Sequence, residues 1–122
     1  MFGYSFFNDK PVEANIQALN LVAAGLAAFQ LATDPDATYS EMGPRILIPV
    51  LTALSLQKNG GFFSRFCTSL LNAASIGAAY SGITSGSSAV DDTTNKFVLA
   101  LHLFNTGSLL INAAESPIAV KP

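Results

Sequence analysis

Residues 69–86 read SLLNAASIGAAYSGITSG, a run of eighteen without a single charged side chain. Every fourth residue is small, in two adjacent rows: Ser69, Ala73, Gly77, Ser81 and Ser85, and Ala74, Ala78, Gly82 and Gly86. Residues four apart share one helix face, so the rows form a smooth groove. Gly and Ser weaken a lone helix in water but let helix backbones approach closely in lipid. The stretch therefore predicts the packing spine of a helical membrane bundle, with helix-packing residues Ser69, Ala73, Gly77, Ser81, Gly82 and Gly86.

The composition of the whole chain favours the same environment. Half of the 122 residues are apolar, only 11% are charged, and the mean hydropathy is +0.42. A soluble domain carries about a quarter charged residues, and this length allows one domain. We therefore predict an all-α fold, a single four-helix transmembrane bundle with a third helix rich in small residues. A soluble helical bundle is the alternative.

Several function classes lack the residues that they need. The net charge is −2 and no basic run is present, which argues against nucleic acid as a partner. Cys67 is the only cysteine, which excludes an internal disulfide and a cysteine-based metal site. No glycine-rich phosphate loop follows a strand, and nothing marks a nucleophile among the many serines. We predict a protein that is not an enzyme and has no metal site of its own.

Turn signals divide the chain into four predicted helices, over residues 11–32, 44–57, 62–86 and 92–114. The first helix follows Asn8, a residue type that caps helices, and has Pro11 in its first turn. The second helix is predicted to open at Pro44 and to bend at Pro49, which removes a helical hydrogen bond. Its apolar part is short, so it is either a thin, kinked span or a partly inserted helix.

The first helix has two unlike faces. The mixed face is predicted to point into the bundle and comprises Glu13, Gln17, Asn20, Ala24 and Leu31. The bulky face is predicted to contact lipid and comprises Ile16, Leu19, Val22, Leu26 and Phe29. A soluble helix with its bulky face in a core fits the same periodicity, so the pattern alone does not decide between membrane and water.

The placement of basic residues predicts an orientation. If all four helices cross the membrane, one side carries Lys10, Lys58, Arg65 and Lys121. The other side carries Arg45 and Lys96, together with Asp34, Asp36, Glu41, Asp91 and Asp92. Because basic residues concentrate on the inner side, both termini are predicted to face cytoplasm, matrix or stroma.

The turns and some single residues resemble a known group. Asp34-Pro35-Asp36 ends the first helix, Gly43-Pro44-Arg45 opens the second, Arg65 precedes the third, Gly86 closes it, and His102 lies within the fourth. Together they resemble the DoxX-like small four-helix membrane proteins over most of the chain. Pro49 and the small-residue third helix depart from that group. The resemblance implies a four-span bundle and, for some members, a companion role in quinone-dependent oxidation.

Polar residues inside the predicted spans are the candidates for a site. The candidate ligand-binding residues are His102, Asn105, Asn112, Asn72 and Asn20. Amides in lipid seek partners across a bundle, so they either hold helices together or line a polar cavity for a ligand, a pigment or a quinone headgroup.

His102 is the only histidine and falls near the middle of the fourth helix. An ionisable residue at membrane depth is a candidate functional residue. Three roles stay open: a structural hydrogen bond to a neighbouring Asn or Thr, ligation of a chlorophyll or haem metal, and handling of protons or substrate. No cofactor follows from the sequence alone, although chlorophyll, haem or a quinone would suit such an interior.

The function predicted first is that of a non-catalytic, multi-pass integral membrane protein. Its partners would be the lipid bilayer and larger membrane subunits, in an accessory or scaffolding role of respiratory or photosynthetic type. The alternative is a small membrane carrier, or a ligand- or pigment-binding protein with an interior lined by Asn and His.

Overall fold

The computed structural model describes residues 6–85 and 92–116, and that part of the chain is entirely helical. Helix α1 spans Pro11–Thr33, α2 spans Tyr39–Ser55, α3 spans Phe62–Ser85 and α4 spans Asp92–Ala114. No strand occurs within these ranges. The all-α prediction with four helices is therefore confirmed for the described residues.

Helix α2 differs from the prediction at its start. It begins at Tyr39, five residues before the predicted start at Pro44. The backbone N–H of Glu41 donates to Thr38 Oγ1 at 3.2 Å, so Thr38 caps the helix. Thr38 and Glu41 have the Thr-x-x-Glu spacing of a capping box. The prediction started the helix at Pro44 instead, because proline is common at the first position of a helix. Pro44 and Pro49 both lie inside the helix.

Asn8 does not cap α1, contrary to the prediction. Lys10 occupies the N-cap position without a side-chain cap, and Pro11 opens the helix. The side chain of Asn8 instead donates from Nδ2 to the carbonyl oxygen of Leu56 at 2.9 Å, after the end of α2. Asn8 therefore ties the start of α1 to the connection between α2 and α3.

The helices form two tight hairpins, because α1 packs mainly on α2 and α3 packs mainly on α4. Contacts between α2 and α3 and between α1 and α4 join the hairpins into a bundle. Lys10 Nζ lies 3.0 Å from Glu115 Oε1, and Lys58 Nζ lies 2.9 Å from Asp9 Oδ2. The start of α1, the α2–α3 connection and the end of α4 therefore meet at one end of the bundle, which we call the Arg65 end.

The bundle buries amides and exposes large apolar side chains. Gln17, Asn20, Asn72, Asn95 and Asn105 are completely buried. Phe29, Phe63 and Phe104 are exposed to 68%, 76% and 67%. This distribution is the reverse of that in a water-soluble domain, where amides are mostly exposed and large apolar residues are mostly buried.

The two faces of α1 follow the same arrangement, with one exception. Leu19, Val22, Leu26 and Phe29 are exposed, whereas Gln17, Asn20 and Ala24 are buried. Ile16 was predicted to face outward but is buried with Leu56 and Leu109. It lies one position from Gln17, at the edge of the inner face, where the end of α2 covers it.

In the small-residue row of α3, Ala73 and Gly77 face away from the other helices of the chain, whereas Ser81 borders a cavity between α2, α3 and α4. Ser69 is buried, but Ala73, Gly77 and Ser81 are exposed, and a Cβ added at Gly77 would have no atom within 4 Å. Ala73 and Gly77 are therefore not a spine inside this bundle, and their role as helix-packing residues stays a prediction. Burying the polar side chains of Thr68 and Asn72 determines the rotation of α3 instead. The surroundings of Gly82 and Gly86 lie outside the described residues.

Candidate functional site

Four of the five candidate residues meet at the centre of the bundle. The side chains of Asn20 and Asn105 pair reciprocally, from Asn20 Nδ2 to Asn105 Oδ1 at 2.8 Å and from Asn105 Nδ2 to Asn20 Oδ1 at 2.7 Å. Asn105 Nδ2 also donates to Asn72 Oδ1 at 2.9 Å, and His102 Nδ1 lies 2.7 Å from the same oxygen. We call Asn20, Asn72, His102 and Asn105 the central polar network.

The donors and acceptors of this network are fixed by its surroundings. Asn72 Nδ2 lies 3.0 Å from the carbonyl oxygen of Thr68, which can only accept a hydrogen bond. Asn72 Oδ1 is therefore the acceptor, and His102 Nδ1 must carry the hydrogen that it receives. In the neutral ring, this places the lone pair of His102 on Nε2.

The network joins all four helices. Asn72 Nδ2 also donates to Thr52 Oγ1 at 2.8 Å, which connects α3 to α2. Thr52 Oγ1 in turn donates to the carbonyl oxygen of Ile48 at 2.8 Å. Through Asn20 and Asn105 the same hydrogen bonds reach α1 and α4. Thr52 was not among the sequence candidates, because a threonine one helical turn after an isoleucine carries no distinctive signal.

Asn112 belongs to a different group of residues, at the Arg65 end. Asn112 Nδ2 donates to Glu13 Oε2 at 3.1 Å, and Lys10 Nζ donates to Asn112 Oδ1 at 3.4 Å. The structure therefore separates Asn112 from the other four candidates. Asn112 links the start of α1 to the end of α4.

Arg65 fastens the ends of two helices. Its guanidinium donates to the carbonyl oxygens of Ser55 at 2.8 Å and Gln57 at 2.6 Å, where α2 ends. It also donates to the carbonyl oxygen of Asn112 at 3.3 Å and to Ser116 Oγ at 2.6 Å, at the end of α4. The last carbonyls of a helix lack intrahelical donors and carry partial negative charge, so a buried cation is favourable there.

Arg45 lies at the opposite end of the central network and is only partly satisfied. Its Nη2 donates to Asn95 Oδ1 at 2.6 Å. Its Nη1 is buried and has no hydrogen-bond partner among the residues that the structure describes. The sequence predicts that α2 starts at Pro44, one residue before Arg45. Arg45 was therefore counted with the loop charges and not with the residues inside the bundle.

Two cavities border Arg45 and His102. One of about 200 Å³ lies between α1, α2 and α4, and the other of about 430 Å³ lies between α2, α3 and α4. Arg45, Val98 and His102 line both of them. The open space next to polar groups is therefore around Arg45 and not around the asparagines, whose amides bind one another.

The arrangement suits hydrogen bonding and anion binding. Within residues 6–85 and 92–116, no three His, Cys, Asp or Glu residues converge as metal ligands. Cys67 is exposed. The groups that remain available to a ligand near the centre are the donor Arg45 Nη1 and the ring edge of His102.

The sequence matches no family model, and comparison with curated proteins and with solved structures gives no significant match. The resemblance to DoxX-like proteins is neither supported nor contradicted and stays a prediction. The functional conclusion therefore depends on the chain's own chemistry.

Proposed function

We propose that this protein is a non-catalytic integral membrane protein that acts as an accessory or scaffolding subunit of a larger membrane complex. The observation that carries the proposal is the reversed distribution of polarity. Completely buried amides bind one another in the interior, while phenylalanine and leucine side chains cover the outside. Surrounding hydrocarbon stabilises this arrangement, because the outer apolar side chains contact lipid and the buried amides find hydrogen-bond partners across the bundle.

The lengths and burial of the helices are consistent with a bilayer. Pro11–Thr33 and Thr93–Ala114 are long and apolar enough to cross a membrane. In the most apolar eighteen-residue stretch of each helix, only 33% and 39% of the residues are buried in the bundle. The core helix of a soluble protein is mostly buried.

The other two helices support the proposal less directly. Residues 66–85 of α3 carry no charge, and twenty residues of helix span about 30 Å. The apolar part of the second helical region, Ile46–Leu56, is only eleven residues long, so α2 forms a thin, kinked span or inserts partly. Both termini are proposed to face cytoplasm, matrix or stroma, because Lys10, Lys58 and Arg65 share the Arg65 end.

The partner surface is proposed to be the outward row of α3. Ala73 and Gly77 are exposed and small, which lets the helix of another subunit approach the backbone closely. Gentle detergent extraction from native membranes should therefore recover the chain with partner subunits in fixed proportion. A monodisperse free monomer would count against the subunit role.

A leucine at Gly77 tests that surface. Because a Cβ at Gly77 meets nothing within 4 Å, we expect Gly77→Leu to leave the fold of the chain intact. Partner recovery should fall about tenfold, since a cost near 1.4 kcal/mol at a helix contact changes the equilibrium by that factor. Quantitative mass spectrometry of the purified complex measures the recovery.

The control for this experiment is Leu71→Ala, which shortens an exposed side chain that lies about a third of a turn around α3 from Gly77. We expect it to reduce recovery less than Gly77→Leu does. Equal losses from both variants, or full recovery with Gly77→Leu, would mean that the row is not the partner surface.

The second candidate function is binding of a small ligand, and the unsatisfied Arg45 favours it. The asparagines themselves support it poorly, because Asn20, Asn72 and Asn105 satisfy one another. Binding of chlorophyll, haem or a quinone stays a prediction. Asn20, Asn72 and Asn105 line neither of the two cavities. A ligand would have to use the cavities beside Arg45.

A further inference from the structure

Arg45 is a half-buried cation with one buried N–H group that the described part of the chain leaves unpaired. Its Nη1 has no partner, and Nη2 binds only the neutral amide of Asn95. The ion pairs within the described part of the chain, Lys10–Glu115 and Lys58–Asp9, lie at the Arg65 end. Glu41, one helical turn before Arg45, interacts with it electrostatically and borders the larger cavity. A buried N–H donor is normally hydrogen-bonded, so Nη1 indicates an acceptor that the described part of the chain does not supply.

His102 adds a second polar group to the same place. Its Nδ1 is committed to Asn72, which leaves Nε2 as a hydrogen-bond acceptor in the neutral ring. His102 lines both cavities together with Arg45. A carboxyl group matches this pair, because one oxygen accepts from Arg45 Nη1 and the proton of the other is shared with His102 Nε2.

The smaller cavity provides apolar walls for the rest of such a molecule. Met42, Phe97 and Leu101 line it, and Leu26 and Phe29 lie on its border while being exposed to 51% and 68%. An apolar cavity of about 150 Å³ is large enough for benzene, so one of about 200 Å³ holds a headgroup and a few methylene groups. A longer chain would leave the cavity over Leu26 and Phe29, along the outside of α1.

We propose that Arg45 and His102 bind the carboxyl group of a single-chain fatty acid, whose acyl chain lies between α1 and α4 and continues into the surrounding lipid. Beside the headgroup, the cavity volume leaves room for the first methylene groups of one acyl chain and not for those of two. This proposal rests on the membrane location proposed above and is independent of any partner subunit.

The test is equilibrium binding of radiolabelled palmitate to the protein in phosphatidylcholine nanodiscs, with empty nanodiscs as the reference. We expect saturable binding of one palmitate per chain. Arg45→Gln should weaken it by about tenfold or more, which corresponds to about 1.4 kcal/mol from the lost charged hydrogen bond. Lys96→Gln is the matched control, because it removes the same charge from an exposed residue at the same end and should leave affinity unchanged.

A competition experiment on the unaltered chain keeps the proposal testable if Arg45→Gln does not fold. Hexadecanol has the same acyl length without the carboxyl group and should displace palmitate at least about tenfold less well. Anionic phosphatidylglycerol in the nanodisc should not displace it. Equal displacement by hexadecanol, displacement by phosphatidylglycerol, or no binding above empty nanodiscs would overturn the fatty acid site.

The failure of this site and the failure of the membrane location give different results. A chain that enters nanodiscs but binds no palmitate loses the site and keeps its proposed location. A chain that does not enter nanodiscs contradicts the location, and the same palmitate competition in water then decides whether the carboxyl site exists.

Discussion

Replacing Asn72 by leucine is expected to lower the free energy of unfolding by about 3 kcal/mol. A single hydrogen bond between helices in lipid contributes only about 0.6 kcal/mol on average. Asn72, however, is completely buried and contacts Thr52, His102 and Asn105 at once. Its loss leaves the Nδ1–H of His102 without an acceptor, and a buried unsatisfied donor costs about 1–3 kcal/mol. Unfolding of the purified protein in mixed detergent micelles, followed by circular dichroism, measures the change.

The control is Leu70→Ala on the outer face of the same helix. Leu70 is 55% exposed, so shortening it should change the stability by less than about 1 kcal/mol. If Asn72→Leu is as mild as Leu70→Ala, the central polar network does not hold the four helices together.

Replacing Arg65 by methionine should destabilise the bundle by about 3 kcal/mol, because several buried carbonyl oxygens lose their donor and each unsatisfied group costs about 1–3 kcal/mol. Methionine retains much of the side-chain length but has no donors. The carbonyl oxygens of Ser55, Gln57 and Asn112 would then lose the group that joins α2 to α4. Arg65→Lys should recover only part of the loss, since one ammonium cannot reproduce the planar fork of donors.

Gly60 and Gly61 allow an independent test of the contact between Arg65 and the carbonyl oxygen of Ser55. A Cβ at Gly60 would overlap with the carbonyl oxygen of Ser55 and crowd Arg65 Nε. A Cβ at Gly61 would meet nothing within 4 Å. Gly60→Ala should therefore reproduce part of the Arg65→Met loss, and Gly61→Ala should be nearly neutral. Wild-type stability in both Arg65→Met and Gly60→Ala would contradict the role assigned to Arg65.

The sequence is a good guide to the helices and to the burial of the amides. The apolar periodicity and the turn residues predict α1, α3 and α4 with bounds that differ by one residue or none from those observed. Asn20, Asn72 and Asn105 can be assigned to the interior because an amide within a charge-free span needs a partner. Their mutual pairing cannot be derived in this way, since it depends on the relative rotation of three helices.

The sequence misleads where two signals compete. The small-residue row of α3 predicts an inner face, but Thr68 and Asn72 turn that helix so that Gly77 faces outward. Pro44 suggests a helix start and hides the capping spacing of Thr38 and Glu41. Arg45 and Arg65 were used as charges that predict the orientation and not as site residues, because nothing in a sequence shows the backbone carbonyls that Arg65 binds.

The measurement that tests the central claim most directly is extraction of native membranes with alkaline carbonate. A bundle with buried amides and exposed phenylalanines is stabilised by hydrocarbon around it, so the chain should stay in the membrane pellet and be released only by detergent. Quantitative recovery in the carbonate supernatant as a folded helical protein would contradict the integral membrane location. The soluble helical bundle would then be the correct account of the fold.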